Sequence, residues 1–261
     1  MNPVSLPKEL QKTDLPEWLC RADEQGLLIA PGEAPEDFAG RIARLQKELQ
    51  SNLPADIPEV SASVREKAEK ITGALYGFRA DWLPAYYSTC ETGHFSAGVS
   101  VLQDDFLPLV YLSGAFLKKN RHRGYNAAET LAHESVHAAR IAFPDSSSYD
   151  EYFPCQVHAS AFRRLAGNLF RRWYLPVLFL LGLYPPLLPF PLLILLKEFL
   201  LLRQIRRAGK KLRSLGLRPE PVLLRLSDAE IRELASGRLP ACLADQTSWR
   251  YRIFFRRFVL S

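Results

Sequence analysis

The run WYLPVLFLLGLYPPLLPFPLLILL, Trp173 to Leu196, carries no charged side chain over 24 residues, and no other stretch limits the possible folds so strongly. A helix of that length crosses the hydrocarbon core of a bilayer once. Pro185, Pro186, Pro189 and Pro191 oppose one straight helix, because proline lacks an amide hydrogen and its ring collides with the preceding turn. They leave two apolar arms of roughly 11 to 13 residues, each able to reach about half of the core. Arg163, Arg164, Arg171 and Arg172 precede the run, and Arg203, Arg206, Arg207, Lys210, Lys211 and Arg213 follow it. Positive charge at both ends holds both on the cytoplasmic side. The pattern favours a re-entrant helical hairpin in the inner leaflet over a single span or a hairpin buried in a soluble core.

Charge is divided at the same place. Residues 1–160 hold 15 Lys/Arg against 22 Asp/Glu, net −7, whereas residues 161–261 hold 19 against 6, net +13. A basic half of this kind suits nucleic acid or an anionic membrane surface. Here the cations flank an apolar hairpin instead of alternating with aromatics along a surface, which favours lipid and argues against nucleic acid. The four cysteines, Cys20, Cys90, Cys155 and Cys242, have no C-x-x-C pairing, so reduced, buried thiols are expected rather than a disulfide framework. Prolines and charges interrupt the first residues where a secretory leader needs an unbroken apolar run, so the bulk of the protein is expected to face the cytoplasm.

Three regions follow: residues 1–172 with helices and two candidate strands, the apolar hairpin at 173–202, and a basic helical region at 203–261 packing on the core. The expected class is α+β, mainly helical. Residues 1–31 read as a loose arm. Pro35 opens a helix with Phe38, Ile42 and Leu45 on one face, and a second is expected from Ser63 to Phe78. AGVSVL (Ala97–Leu102) and LPLVYLS (Leu107–Ser113) read as neighbouring strands, with Pro108 marking the second as an edge. Asn126 with Glu129, and Ser227 with Glu230, have the spacing of capping boxes. The tail SWRYRIFFRRFVLS mixes aromatics with arginine and suits packing on the hairpin or on lipid headgroups.

The Asn126 cap fixes the start of a helix that carries LAHESVHAAR, in which His133, Glu134 and His137 have the spacing H-E-x-x-H. Residues four apart share a helical face, so the two histidines can each offer a ring nitrogen to one ion. Glu134, next to the first, points toward the space of a metal-bound water and can act as its base. Arg140, one turn on, is expected to pair with an acidic neighbour, Glu151 and Asp150 among the candidates.

From about Ala97 to Arg164 the sequence resembles the zincin metallopeptidases, specifically the gluzincin type, in which a later helix supplies a glutamate. It is loosely similar to membrane-associated peptidases of the CAAX prenyl protease kind, whose third ligand lies in E-Y-x-A-D. Glu151-Tyr152 in SYDEYFPC stands in that register, while Pro154 and Cys155 replace the Ala and Asp. The resemblance implies a zincin-like core, a small sheet beside the H-E-x-x-H helix. It implies Zn²⁺ on His133, His137 and Glu151, with Asp150 a rival third ligand, and Glu134 as general base. Tyr149, Tyr152 and His158 are candidates for the oxyanion or substrate. The expected activity is hydrolysis of a peptide or protein substrate at the cytoplasmic face of a membrane, bound to lipid through 173–202. The alternative is an inactive adaptor of the same fold.

Overall fold

The structure is a computed structural model that describes residues 16–51, 53–54, 56–93, 96–103, 106–143, 148–169, 180 and 189–260. The chain is α+β and mainly helical. Three helices come first: α1 (Glu17–Glu24), α2 (Pro35–Ser51) and α3 (Ala62–Tyr76). The predicted loose arm is therefore corrected from Pro16 onward: Trp18, Leu19 and Ala22 of α1 are buried, and burial of these apolar groups offsets the entropy of ordering the segment. Its Asp23 also accepts two bonds from the buried Arg225 guanidinium, Nε–Oδ1 at 2.6 Å and Nη2–Oδ2 at 2.9 Å. Such a fork is strong and geometrically selective.

A small sheet follows, built from β1 (Ala85–Tyr87), β2 (Gly98–Gln103) and β3 (Leu107–Leu112), with the turn of helix α4 (Thr89–Thr92) between the first two. Its order is β1-β3-β2, with β3 parallel to β1 and antiparallel to β2. The predicted edge position of β3 is thus overturned. Val110 donates its amide to Pro84 O on the β1 side, and amides two apart point the same way. The missing amide of Pro108 therefore faces beyond the end of the short β1, where no ladder bond is lost. All of β3 is buried, whereas β2 is the outer strand.

A two-residue hairpin, β4 (Arg121–His122) with β5 (Tyr125–Asn126), leads into α5 (Ala127–Arg140). Alanine-rich α5 packs against α3 and against β2 and β3, with Leu131, Ala132, Val136 and Ala139 in the core. Two shorter helices, α6 (Tyr152–Cys155) and α7 (Ala161–Leu169), come next.

Most of the predicted hairpin, 173–202, lies outside the described residues. What is described of it, besides Leu180, is the start of α8 (Pro189–Ser214), a continuous helix that runs through the expected boundary at 202/203. Pro189 and Pro191 occupy its first turn, where an absent amide costs no helical bond. Among the described residues, no helix is long and apolar enough to cross a membrane. The chain closes with α9 (Pro219–Leu224), α10 (Asp228–Ala235), α11 (Ala241–Ala244) and α12 (Trp249–Arg257), and α8 packs on α9 and α10. The second capping box forms as expected, Ser227 and Glu230 each bonding the other's amide.

Candidate metal centre

The geometry begins at the helix cap. Asn126 Oδ1 accepts from the amides of Ala128 at 2.9 Å and Glu129 at 3.3 Å, satisfying donors that α5 cannot satisfy itself. The reciprocal half expected of a capping box is replaced. Glu129 turns its carboxylate to His158, with Oε2 3.1 Å from Nδ1.

From this fixed start, one turn of α5 separates His133 from His137, and their ring centroids are 5.0 Å apart. Both rings look toward Glu151, which the chain brings back at the start of α6. Glu151 Oε2 is 3.6 Å from His133 Nε2, and Oε1 is 3.6 Å from His137 Nε2. These separations are too long for hydrogen bonds. Each is close to the roughly 3.4 Å that separates two donors standing about 2.0–2.1 Å from one tetrahedral zinc. Asp150, the rival, lies behind His137, with Oδ1 3.5 Å from Nδ1. A carboxylate there orients an imidazole whose other nitrogen binds a metal.

Electrostatics distinguish the two rings. Burial, then the neighbouring His137 and His158, push His133 down to about 3, so it is a neutral donor at physiological pH. Burial also opposes charge on His137, but Asp150 and the carboxylates of Glu151 and Glu134 outweigh it and raise its pKa.

Glu134 is buried and faces the sheet. Its Oε2 accepts from Ser100 Oγ on β2 at 2.6 Å. Burial raises this carboxyl above its usual range, against the lowering influence of His137 and Ser100. Gly98 on the same strand permits the close approach: a β-carbon there would meet Thr130 Cγ2 at 2.7 Å and Glu134 Oε1 at 3.2 Å.

The remaining candidates separate. His158 borders the site, its ring 5.5 Å from that of His133. Tyr149, one of the candidates for the oxyanion or substrate, is fully buried, and its hydroxyl donates to Gln204 Oε1 at 2.6 Å. Tyr152 lines a cavity with Leu75, Ile205, Arg206 and Glu220, against α8 and α9. Arg140 does not hold Glu151. It is buried, donates to the carbonyls of Leu224 at 2.6 Å and Leu226 at 3.1 Å, and lies 3.6 Å from Asp228. An apolar cavity of about 130 Å³ behind α5, lined by Leu28, Ile42, Trp82 and Ala138 among others, includes none of these site residues.

Two neighbours were not anticipated. Ser100 reaches Glu134 only through the packing of β2 on α5. Cys155 lies one helical turn after Glu151, a spacing that could have revealed it; its Sγ is 4.0 Å from Glu151 Oε2. Among the described residues, the ligand atoms of His133, Glu151 and Cys155 all lie within 4.8 Å of one another. Cys20 and Cys242 are buried free thiols like Cys155, while Cys90 is exposed, contrary to expectation. Comparison with known proteins returns no match for this chain: no protein-family model, no curated protein and no solved structure.

Proposed function

We propose that the protein is a zinc metallopeptidase held at a membrane, with a zincin-like core made of α5 and the small sheet. The observation that carries this reading is one carboxylate, Glu151, presenting an oxygen to each of two imidazole nitrogens at 3.6 Å, with a buried Glu134 on the same helix. The donor set of two imidazoles and a carboxylate is one zinc takes in open, catalytic sites. Bound there, zinc supplies a Lewis acid that polarises a carbonyl and makes water acidic near neutral pH.

The chain's own residues then have distinct tasks. Ser100 stays on Oε2 of Glu134, leaving Oε1 to take a proton from the attacking water and return it to the leaving amine. Its raised pKa keeps that proton exchange closer to neutrality than an ordinary carboxylate permits. Asp150 steadies His137, and Glu129 steadies His158 beside the site. His158 is the favoured donor to the developing oxyanion. An extended substrate finds an open edge on β2, not on β3 as the sequence suggested, and backbone pairing there lays it beside Glu134.

Membrane attachment is supported by α8. Leu192, Leu193, Leu196, Phe199 and Leu200 are about half or more exposed and recur at helical spacing, forming an apolar stripe large enough to demand a partner. Arg203, Arg206, Arg207, Lys210 and Lys211 follow on the same helix, which suits anionic headgroups on the cytoplasmic side.

Purified full-length chain should carry about one equivalent of zinc and cleave a peptide library. Glu134→Gln should keep the zinc and lose cleavage, while His133→Ala loses both. Cleavage surviving Glu134→Gln would remove the peptidase reading, and zinc retained without cleavage in both the unsubstituted chain and Cys155→Ser would favour an inactive adaptor.

A further inference from the structure

Cys155 departs from the peptidase pattern by occupying a position where an aspartate is expected, yet its sulfur adjoins the same carboxylate that faces the histidines. Glu151 Oε2, 3.6 Å from His133 Nε2, is also 4.0 Å from Cys155 Sγ. The turn that holds the pair is locally fixed, since the Cys155 amide donates to Glu151 O at 3.1 Å. The three ligand atoms of His133, Glu151 and Cys155 lie within 4.8 Å of one another. That makes the cysteine part of a donor cluster and not an isolated thiol.

Thiolate sulfur binds zinc at about 2.3 Å and carboxylate oxygen at about 2.0–2.2 Å, so the two stand roughly 3.5 Å apart around one ion. Sγ of Cys155 must therefore approach Glu151 by only about half an ångström, within the reach of a side-chain rotation. Four protein donors close a zinc site, whereas three leave a position for water. Cys155 is buried at 2 % exposure.

We propose that Cys155 supplies a fourth protein ligand to the metal held by His133, His137 and Glu151, so that the resting site is closed and the peptidase is latent. This rests on the zinc peptidase reading and adds a regulatory state to it. On ligation the S–H bond breaks, its proton leaves to solvent, and a sulfur lone pair forms the bond to the metal. In opening, water or a substrate carbonyl replaces sulfur, which regains a proton from solvent.

X-ray absorption at the zinc edge of the full-length zinc-loaded protein is the test. One sulfur scatterer at about 2.3 Å beside nitrogen and oxygen scatterers is expected. Cys155→Ser should lose that scatterer, retain zinc, and gain severalfold in peptidase rate. Zinc bound through nitrogen and oxygen alone in the unsubstituted chain overturns the latency proposal and leaves the peptidase reading standing. Failure of the unsubstituted chain to bind zinc overturns both. Should Cys155→Ser not fold, the spectrum of the unsubstituted chain decides alone.

Discussion

Gly98→Ala tests how the sheet is fitted to the site. The added carbon would stand 2.7 Å from Thr130 Cγ2, 3.2 Å from Leu112 Cδ2 and 3.2 Å from Glu134 Oε1. The first contact is too short to survive, so β2 must move from α5 or Thr130 must change rotamer. Overpacking of this kind costs about 1–3 kcal/mol. Alanine narrows the unfolded ensemble and returns about 0.4–1 kcal/mol. The midpoints leave a net loss of about 1.3 kcal/mol, which lowers the melting temperature by roughly 3–5 °C in a chain of this size. Thr130→Ser removes the obstructing methyl and keeps the hydroxyl, which donates to Asn126 O at 2.9 Å. In a double-mutant cycle followed by thermal melting, the pair should recover about 1 kcal/mol relative to the sum of the single losses. The Glu134 contact persists in the double variant, so peptidase turnover should stay below that of the unsubstituted chain even as stability returns. Additivity within about 0.3–0.5 kcal/mol would refute the claim that β2 and α5 meet at this pair of residues.

Arg140→Met leaves the buried Asp228 without its cation and should cost roughly 3–5 kcal/mol in urea unfolding, with Arg140→Met/Asp228→Asn losing distinctly less. A single-variant loss below about 1 kcal/mol would mean the buried pair is not what anchors α5. For pH, His133 is held down to about 3 from an ordinary 6.5. The unfolded chain takes up that proton first, so its contribution to stability is complete above pH 6.5 and declines as pH falls toward 3. Metal-free His133→Gln should show a flatter acid limb, and an unchanged limb would contradict the assignment. Tyr149→Phe should cost about 1 kcal/mol through the lost bond to Gln204 and leave turnover intact, whereas His158→Gln should reduce turnover with zinc retained. The reverse ordering in a peptide-cleavage assay would restore Tyr149 to the chemistry.

What the sequence revealed well was local. The Asn126 cap, the Ser227–Glu230 capping box and the four-residue interval between His133 and His137 are each complete within one or two helical turns, so residue type and spacing suffice. Pro108 misled because proline reports a missing donor, and only the length of β1 shows that no ladder bond is lost there. Glu151 and Asp150 are adjacent in sequence and chemically alike. What separates them is the angle at which the chain returns to α5, which gives one carboxylate both Nε2 atoms and the other a single Nδ1. Tyr149 and His158, equal candidates in the sequence, are told apart for the same reason: a partner on α8 takes the phenol, and a partner on α5 takes the imidazole.

The contact between Arg140 and the turn joining α9 to α10 bears on the order in which the molecule can be assembled. Leu224 and Leu226 follow Arg140 by 84 and 86 positions. A nascent chain that has just released α5 therefore holds a guanidinium whose partners have not yet been made. Loops that long close slowly and expose apolar surface while they wait. Completion of the segment after α8 supplies the carbonyls that hold Arg140, so a chain cut short after α8 would retain every proposed ligand and lack that brace on the histidine helix.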